Sequence, residues 1–431
     1  MIITLGCKVN QYESAGFAAE LERRGCTYAG EGEAADLIII NTCAVTGKGG
    51  VQSRNAVRRA ARANPQAAIV ITGCYAQLDA QQCSKIKELQ GRRVIWAGNN
   101  QKGRLVSMIF NGGKPELPSL AQMRKKVEEK PLVVQKFHGR TRAYLKIQDG
   151  CNAYCTYCIV PYTRGPSRSV PMAAVLEQAE LLAANGHREM VITGIHVGNY
   201  GQDLGGGVNL VSLLEKLCEQ SPAVRFRLSS IEPTEIGSEL LELMLAKENF
   251  VNHLHIPLQS GSTEILEKMG RKYAAKDFEE IITRCHKKIP HLCIGLDVMV
   301  GFPGEDEGLF RQTEQLLTRL PYTYLHVFPY SVRPGTKAAS FAGQVAKKIK
   351  SKRLAALTAL SERKKLAFYE QNLGSSRPVL VEKTRDSRGR LKGFTDNYIP
   401  VLMTGSDALV NTVKNVRLSR LAGGEVFGEI L

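Results

Sequence analysis

Residues 143–158, AYLKIQDGCNAYCTYC, open with an apolar segment of strand length and close on three cysteines. Downstream, strand-length segments recur at 189–195, 225–229, 253–258, 293–300 and 324–329. Helix-length stretches such as 171–184, 210–219, 235–247 and 276–287 lie between them. Six βα units in one run predict a partial (β/α) barrel of TIM type, with its chemistry at the C-terminal ends of the strands. The cysteine loop follows the first strand, so it falls at the barrel mouth. A basic helix expected from about residue 346 to 373 ends the run.

Upstream, strand candidates at 2–5, 37–41, 68–72 and 93–96 alternate with helical stretches at 11–24, 50–63 and 76–89. That alternation predicts an α/β unit with a doubly wound parallel sheet. Between 111 and 141 the texture turns to Gly, Pro and charge, as in GGKPELP and MRKKVEEKP, which reads as a linker or exposed crossover. After Gly374, short strand-like runs separated by turn residues predict a small β-barrel of oligonucleotide-binding style. The expected division is therefore 1–110, 111–141, 142–373 and 374–431.

With 431 residues, 43% hydrophobic and 23% charged, the chain has globular composition, which excludes wholesale disorder and a collagen-like fibre. No apolar run reaches the 18 or so residues of a membrane span, so none is expected. The start, MIITLGC, lacks a basic leader and a long apolar stretch, so a signal peptide is not expected and the cytoplasm is. Lys and Arg total 58 against 41 Asp and Glu, a net charge of +17. That excess points to a polyanionic partner, RNA or DNA ahead of an acidic membrane surface. Arg54, Arg58, Arg59 and Arg62 recur at near-helical spacing and give one positive stripe, whose ordinary alternative is a solvated helix face. Further basic clusters stand at 124–126 and 347–353. In the C-terminal module, Phe394, Asn397 and Tyr398 are candidate base contacts, with core packing the alternative for Phe394.

Eleven cysteines in such a chain read as metal ligands or reactive thiols more than as a disulfide scaffold. Cys151, Cys155 and Cys158 can fold around one face of an iron–sulfur cluster, leaving one iron of a 4Fe-4S cube open. A zinc site built on Cys155 and Cys158 needs a partner pair, and the sequence has no second C-x2-C. Cys7, Cys43 and Cys74 each stand one or two residues beyond a strand candidate, 36 and 31 residues apart. Equivalent ends of parallel strands share one sheet edge, so these three thiols are expected to converge as a second cluster site. Cys26, Cys83, Cys218, Cys285 and Cys293 show no such phase and read as packing residues. At the barrel mouth, the turns ITGIHVGNYG, LSSIEP, PLQSGS and VMVGFPGED offer Gly194, Glu232, Gln259 and Ser260 for a small polar ligand.

The stretch DGCNAYCTYCIVPYTRG resembles the cysteine signature of the radical S-adenosylmethionine enzymes. Joined to LGCKVNQYES, NTCAVT and TGCYAQ, it resembles the methylthiotransferases along nearly the whole chain. GFTDNYIPV is similar to the RNA-binding TRAM module that closes those proteins, and LGCKVNQYES looks like the branch acting on N6-threonylcarbamoyladenosine in tRNA. The resemblance implies two 4Fe-4S clusters, on Cys151, Cys155 and Cys158 and on Cys7, Cys43 and Cys74. The open iron of the first would chelate S-adenosylmethionine, with Tyr157 near the adenine. Reductive cleavage would give a 5′-deoxyadenosyl radical that activates carbon 2 of the modified adenine beside the anticodon. The second cluster would present the sulfur, and the product would be the 2-methylthio derivative. The implied partners are the tRNA and a reducing donor such as flavodoxin or ferredoxin, with no membrane.

Within the family the alternatives are isopentenyladenosine in tRNA or an aspartate of a ribosomal protein. Outside it stands a non-catalytic electron carrier or RNA-binding protein, which explains neither the open iron nor the six βα units. Only six residues precede Cys7, so the first strand is expected to be short, its sheet edge weak, and several residues missing ahead of Met1.

Overall fold

The computed structural model describes all residues except 31, 80–82, 113–116 and 125–130. Strands β1 (Ile2–Thr4), β2 (Leu37–Thr42), β3 (Ala68–Gly73) and β4 (Val94–Trp96) pair in parallel in that order. Ile38, Ile40, Ile69 and Ile71 pack one face against Val57 and Ala61 of α2 (Gly47–Ala63). Ile39 and Val70 pack the other against Phe17 of α1 (Lys8–Arg23), Leu105 and Val106. Burial on both faces is why these strands read as unbroken apolar runs. The short β1 holds its register, Ile2 opposite Ile39, and the Met1 ammonium donates to Leu37 O at 2.9 Å.

The helix expected over 76–89 is not continuous: α3 (Cys74–Leu78) stops before Asp79, and a 3-10 turn follows at Lys87–Leu89. Cys83 packs with Tyr75 and Ala44, whereas Ile86 and Leu89 pack with Val57 under α2. A bend serves those two packing sites. Within the linker or exposed crossover expected over 111–141, residues 131–138 divide: Pro131, Val133, Gln135, Lys136 and His138 are exposed, whereas Leu132, Val134 and Phe137 pack on the core. Val134 is fully buried, its N–H donates to Gln178 Oε1 at 2.9 Å, and Leu132 O accepts from the Tyr12 hydroxyl at 2.7 Å. Leu132, Val134 and Phe137 make this segment a strap between sheet and barrel. Most of GGKPELP and MRKKVEEKP lies outside the described residues.

The central unit carries β5 (Ala143–Lys146), a two-stranded ribbon of β6 (Gln148–Asp149) and β7 (Arg168–Ser169), then β8 (Glu189–Thr193), β9 (Arg225–Leu228), β10 (His253–Gln259), β11 (Cys293–Val300) and β12 (Tyr324–Pro329). Parallel pairing gives β5-β8-β9 and β10-β11-β12, joined by bridges Phe226–Phe250 and Ser230–His255. Leu254, Ile256, Leu258, Ile294, Leu296 and Leu325 belong to the outer core under the helices. The two-residue period of a strand then turns Arg227, His253, His255, Gln259, Asp297 and His326 to the lumen.

After the helix Lys347–Asn372, strands β13 (Ser376–Arg385), β14 (Leu391–Thr395), β15 (Pro400–Met403), β16 (Val413–Ala422) and β17 (Glu425–Ile430) close into a barrel ordered β13-β14-β15-β17-β16. It docks on the N-terminal ends of the central strands. Buried Glu189 holds Arg225 and Arg227, at 2.9 and 2.8 Å, and these guanidiniums donate to the carbonyls of Pro378, Phe394 and Thr395. Burial alone would lift the Glu189 carboxyl; the two arginines instead hold it at about 2.

Candidate functional site

Three parallel strands end at the same edge of the N-terminal sheet, and each delivers one cysteine. Cys7 caps α1 just past β1, Cys43 follows β2, and Cys74 opens α3 after β3. Close approach is enforced by Gly6: a Cβ there would stand 2.7 Å from Cys43 Sγ. Asn10 ties the edge together, its amide donating to Leu5 O at 2.7 Å and Thr42 O at 3.0 Å. Cys7 is solvent-accessible, while Cys43 and Cys74 are buried. Burial pushes the Cys43 thiol up to about 11, and the charges of Cys74 and Cys7 add to the effect, so the three sulfurs share one electrostatic site.

The second trio comes from one loop. Gly150, at φ +70°, turns the chain out of β6 so tightly that a Cβ would meet Pro166 O at 2.0 Å. Cys151 N–H donates to Gly165 O at 3.1 Å, Thr156 N–H to Met269 O at 2.9 Å, and Cys158 N–H to Cys155 O at 2.9 Å. Burial, with Cys155 and Cys151 adding, pushes the Cys158 thiol up to about 12. Burial disfavours the free thiolates of Cys7, Cys43 and Cys158; bound iron reverses that preference, so these donor sets fit iron–sulfur ligation.

A buried ionic network sits between the trios. Arg164, six residues beyond Cys158, donates to Glu13 Oε1 at 3.0 Å, Asp149 Oδ1 at 2.9 Å and Asn10 Oδ1 at 2.6 Å. Lys102 Nζ meets Glu13 Oε2 at 2.5 Å, and Lys146 Nζ meets Asp149 Oδ2 at 2.6 Å. Although burial opposes ionisation, Arg164, Lys102 and Lys146 hold the Glu13 carboxyl below its ordinary value. Asn99 donates to Thr163 O at 2.8 Å and lies 3.7 Å from Cys74 Sγ. Asn10 and Asn99 therefore each touch both the sheet edge and the segment that continues from the cysteine loop.

Around the barrel trio, Tyr157 is edge-on to Phe302 with centroids 6.4 Å apart. Glu232 is ion-paired to Arg271, whose other nitrogen lies 3.6 Å from Cys155 Sγ. Gln259 is buried in a left-handed conformation at φ +66°, and its Oε1 has no hydrogen-bond partner. Gly194 packs on Gln148, whose side-chain Oε1 accepts from Ile195 and His196 N–H at 3.0 and 2.8 Å. Ser260 is turned to the helix Glu307–Arg319, its hydroxyl 3.3 Å from Thr313 Oγ1.

Two residues escaped the sequence reading. Arg271 carried no signal beyond following the helix-ending Gly270. His196 lay inside the quoted ITGIHVGNYG turn; its Nδ1 is 3.5 Å from Cys151 Sγ and its Nε2 is 2.7 Å from Glu235 Oε1. Burial opposes its charge, but the bonds to Cys151 and Glu235 raise it to about 10.

The candidate nucleic-acid contacts divide. Arg58, Arg59 and Arg62 line a shallow surface depression, with Arg62 paired to Glu88, whereas Arg54 turns inward to the Tyr75 hydroxyl at 2.6 Å. Of the 347–353 cluster, Lys347, Lys348 and Lys352 are exposed, and Arg353 is buried on Glu305 at 2.6 Å. Lys125 and Lys126 lie outside the described residues. Asn397 is fully buried, its amide donating to Asn372 Oδ1 at 3.0 Å. Phe394 and Tyr398 stack on each other under Arg142, and Tyr398 meets His253 at 4.5 Å and Arg227 at 4.7 Å. These three residues form the joint between the two barrels rather than an open base-stacking face.

Residues 145–317 match the radical SAM superfamily, and residues 1–94 match the uncharacterized protein family UPF0004. A threonylcarbamoyladenosine tRNA methylthiotransferase (MtaB) of Bacillus subtilis is 37% identical over 96% of this chain and 92% of its own length. Its counterpart in Aquifex aeolicus is 36% identical over 93% and 96%. A tRNA-2-methylthio-N(6)-dimethylallyladenosine synthase of Pelotomaculum thermopropionicum is 35% identical over 98% and 96%. The chain belongs to the radical S-adenosylmethionine methylthiotransferase family. With that membership come S-adenosylmethionine and two 4Fe-4S clusters as cofactors.

Solved structures support the fold of this methylthiotransferase. The radical S-adenosylmethionine methyltransferase TsrM of Kitasatospora setae superposes with a TM-score of 0.52 at 16% identity, over 77% of this chain and 68% of its own. The cobalamin-dependent radical enzyme OxsB gives 0.52 at 10% identity, over 84% and 56%. No helix among the described residues is long and apolar enough to cross a membrane.

Proposed function

We propose that this chain converts N6-threonylcarbamoyladenosine beside the anticodon of tRNA to its 2-methylthio derivative. Cys151, Cys155 and Cys158 are the ligands of the cluster that binds S-adenosylmethionine, and Cys7, Cys43 and Cys74 are those of the auxiliary cluster. The observation that carries this reading is the pair of thiol trios, fixed against one another through Asn10, Asn99 and the buried Arg164. Bound there, the cofactors supply reductive cleavage to a carbon radical, and the sulfur and methyl groups of the product. The aromatic C–H at carbon 2 lies far outside the reach of a side-chain base, which is why the site needs radical chemistry.

The chain's own residues bind and position. Tyr157, Gly194, Glu232 and Gln259 line the S-adenosylmethionine pocket, with Ser260 shaping the strand end behind them. Arg271 and His196 set positive charge beside Cys155 and Cys151, which favours anionic sulfur ligands there. The packed joint between the barrels limits water entry from below.

A tRNA partner is supported by the net charge of +17, by exposed Arg59 and Arg62, and by the outer face of β16. There Arg417 and Arg420 are exposed, and Arg420 lies 4.1 Å from the Phe427 ring centroid, a pairing suited to phosphate and base. Residues 1–110 serve as the auxiliary-cluster domain, 111–141 as the connector, 142–373 as the radical domain and 374–431 as the RNA-binding module. The remaining partner is a one-electron donor of flavodoxin or ferredoxin type, and the cytoplasm is the site of action.

The test is turnover. Anaerobically reconstituted protein, reduced and supplied with S-adenosylmethionine, a sulfur source and tRNA bearing threonylcarbamoyladenosine, is expected to yield the 2-methylthio nucleoside by mass spectrometry. No such product from protein carrying both clusters overturns the reading.

A further inference from the structure

The barrel lumen is more polar than a packed core requires. Along β10 the outward residues Leu254, Ile256 and Leu258 are apolar, whereas the inward ones are His253, His255, Pro257 and Gln259. Three buried atoms on that inward row, His253 Nδ1, His255 Nε2 and Gln259 Oε1, make no hydrogen bond. A buried polar atom without a partner is costly, so a row of them marks room kept for a polar ligand.

Beside that row stand Asp297 of β11 and His326 of β12. His255 Nε2 and His326 Nδ1 lie 3.4 and 3.5 Å from the same oxygen, Asp297 Oδ1. Lys8, the residue after Cys7 and the first of α1, lies within electrostatic reach of this group: its charge acts on both His255 and His253, and Asp297, Arg142 and Arg227 act on it. Arg142 is engaged by Glu382 at 3.1 Å and Arg227 by Glu189 at 2.8 Å. The Lys8 ammonium makes neither a hydrogen bond nor an ion pair among the described residues, and the residue is exposed. A divalent cation on His255, Asp297 and His326 would be repelled by the Lys8 ammonium, which has no anionic partner in contact among the described residues and is left to pair with one.

We infer that Lys8, with His255, Asp297 and His326, forms a subsite for a polar, carboxylate-bearing substituent on N6 of the target adenosine. This deepens the proposed function and rests on it. The threonylcarbamoyl group carries one carboxylate, one hydroxyl and ureido N–H donors; a dimethylallyl group carries none of these. Lys8 takes the carboxylate as a charge-assisted pair. Asp297 accepts from the ureido N–H or hydroxyl, and His255 Nε2 gains the partner it lacks. Lys8 is thus a specificity-determining residue, and its place beside Cys7 sets the substituent close to the auxiliary thiols.

The test uses the full chain with both clusters and anticodon stem-loops carrying either threonylcarbamoyladenosine or unmodified adenosine. Wild type is expected to bind the modified loop about tenfold more tightly, the size of a hydrogen bond to a charged group. Lys8→Met is expected to erase that preference and raise KM for modified tRNA about tenfold, with iron content unchanged; Lys8→Arg is expected to restore most of it. Asp297→Asn, remote in sequence from every cluster cysteine, is expected to weaken the preference about threefold and keeps the test open if Lys8→Met loses iron. Undiminished preference in both Lys8→Met and Asp297→Asn overturns the subsite. Wild type that fails to thiolate threonylcarbamoyl tRNA overturns the proposed function instead.

Discussion

The two cysteine trios reach the same donor set by opposite routes. One spans eight residues of a single loop, pinned by Gly150 and by hydrogen bonds within and just beyond the loop. The other gathers three strand ends whose cysteines are separated by 36 and 31 residues, held by strand pairing and by Asn10 bridging Leu5 and Thr42. A loop trio needs only its own turn geometry. A sheet-edge trio exists only once four strands and their helices have paired, so its ligand set depends on the stability of the whole N-terminal unit.

The largest effect expected from this contrast is all-or-none. Cys155→Ala is expected to abolish S-adenosylmethionine cleavage while keeping about one cluster's iron per chain on the sheet edge. Cys43→Ala is expected to keep cleavage and lose sulfur insertion; thiolated product from that variant would break the division of labour. Next comes the network between the trios. Glu13→Ala strands Lys102 in the interior and leaves Arg164 with Asp149 as its one carboxylate, and it is expected to destabilise the fold by about 3–5 kcal/mol in denaturant unfolding, with the sheet-edge iron lost before the loop iron.

The smallest effect lies at the other end of the barrel. Glu189, held at about 2 against an ordinary 4.5, contributes stability that is present above pH 4.5 and lost as pH falls toward 2. Limited proteolysis near Gly374 is expected to accelerate across that window, and Glu189→Gln is expected to flatten the profile. A steep acid profile in the variant would assign the loosening to another group.

The sequence made the loop trio legible because its spacing is short and its chemistry local. The sheet-edge trio was legible through phase, since Cys7, Cys43 and Cys74 each follow an apolar run and parallel strands align their ends. The six central strands were legible for the same reason, as their outer residues are apolar. What escaped were interactions set by tertiary packing. Glu13 and Lys102 look like solvated helix charges until the sheet closes over them. Phe394, Asn397 and Tyr398 look like an open aromatic turn until Arg142 and Arg227 meet them. His196 and Arg271 reach their sulfurs from distant turns, which no spacing rule encodes.

The ion network around Arg164 limits how the molecule can move. Two acids and three bases buried together make a poor hinge, since prising them apart would strand each charge in the interior. Sheet and barrel are therefore expected to move together, so that the target nucleotide is brought to the sulfur rather than the sulfur to the nucleotide.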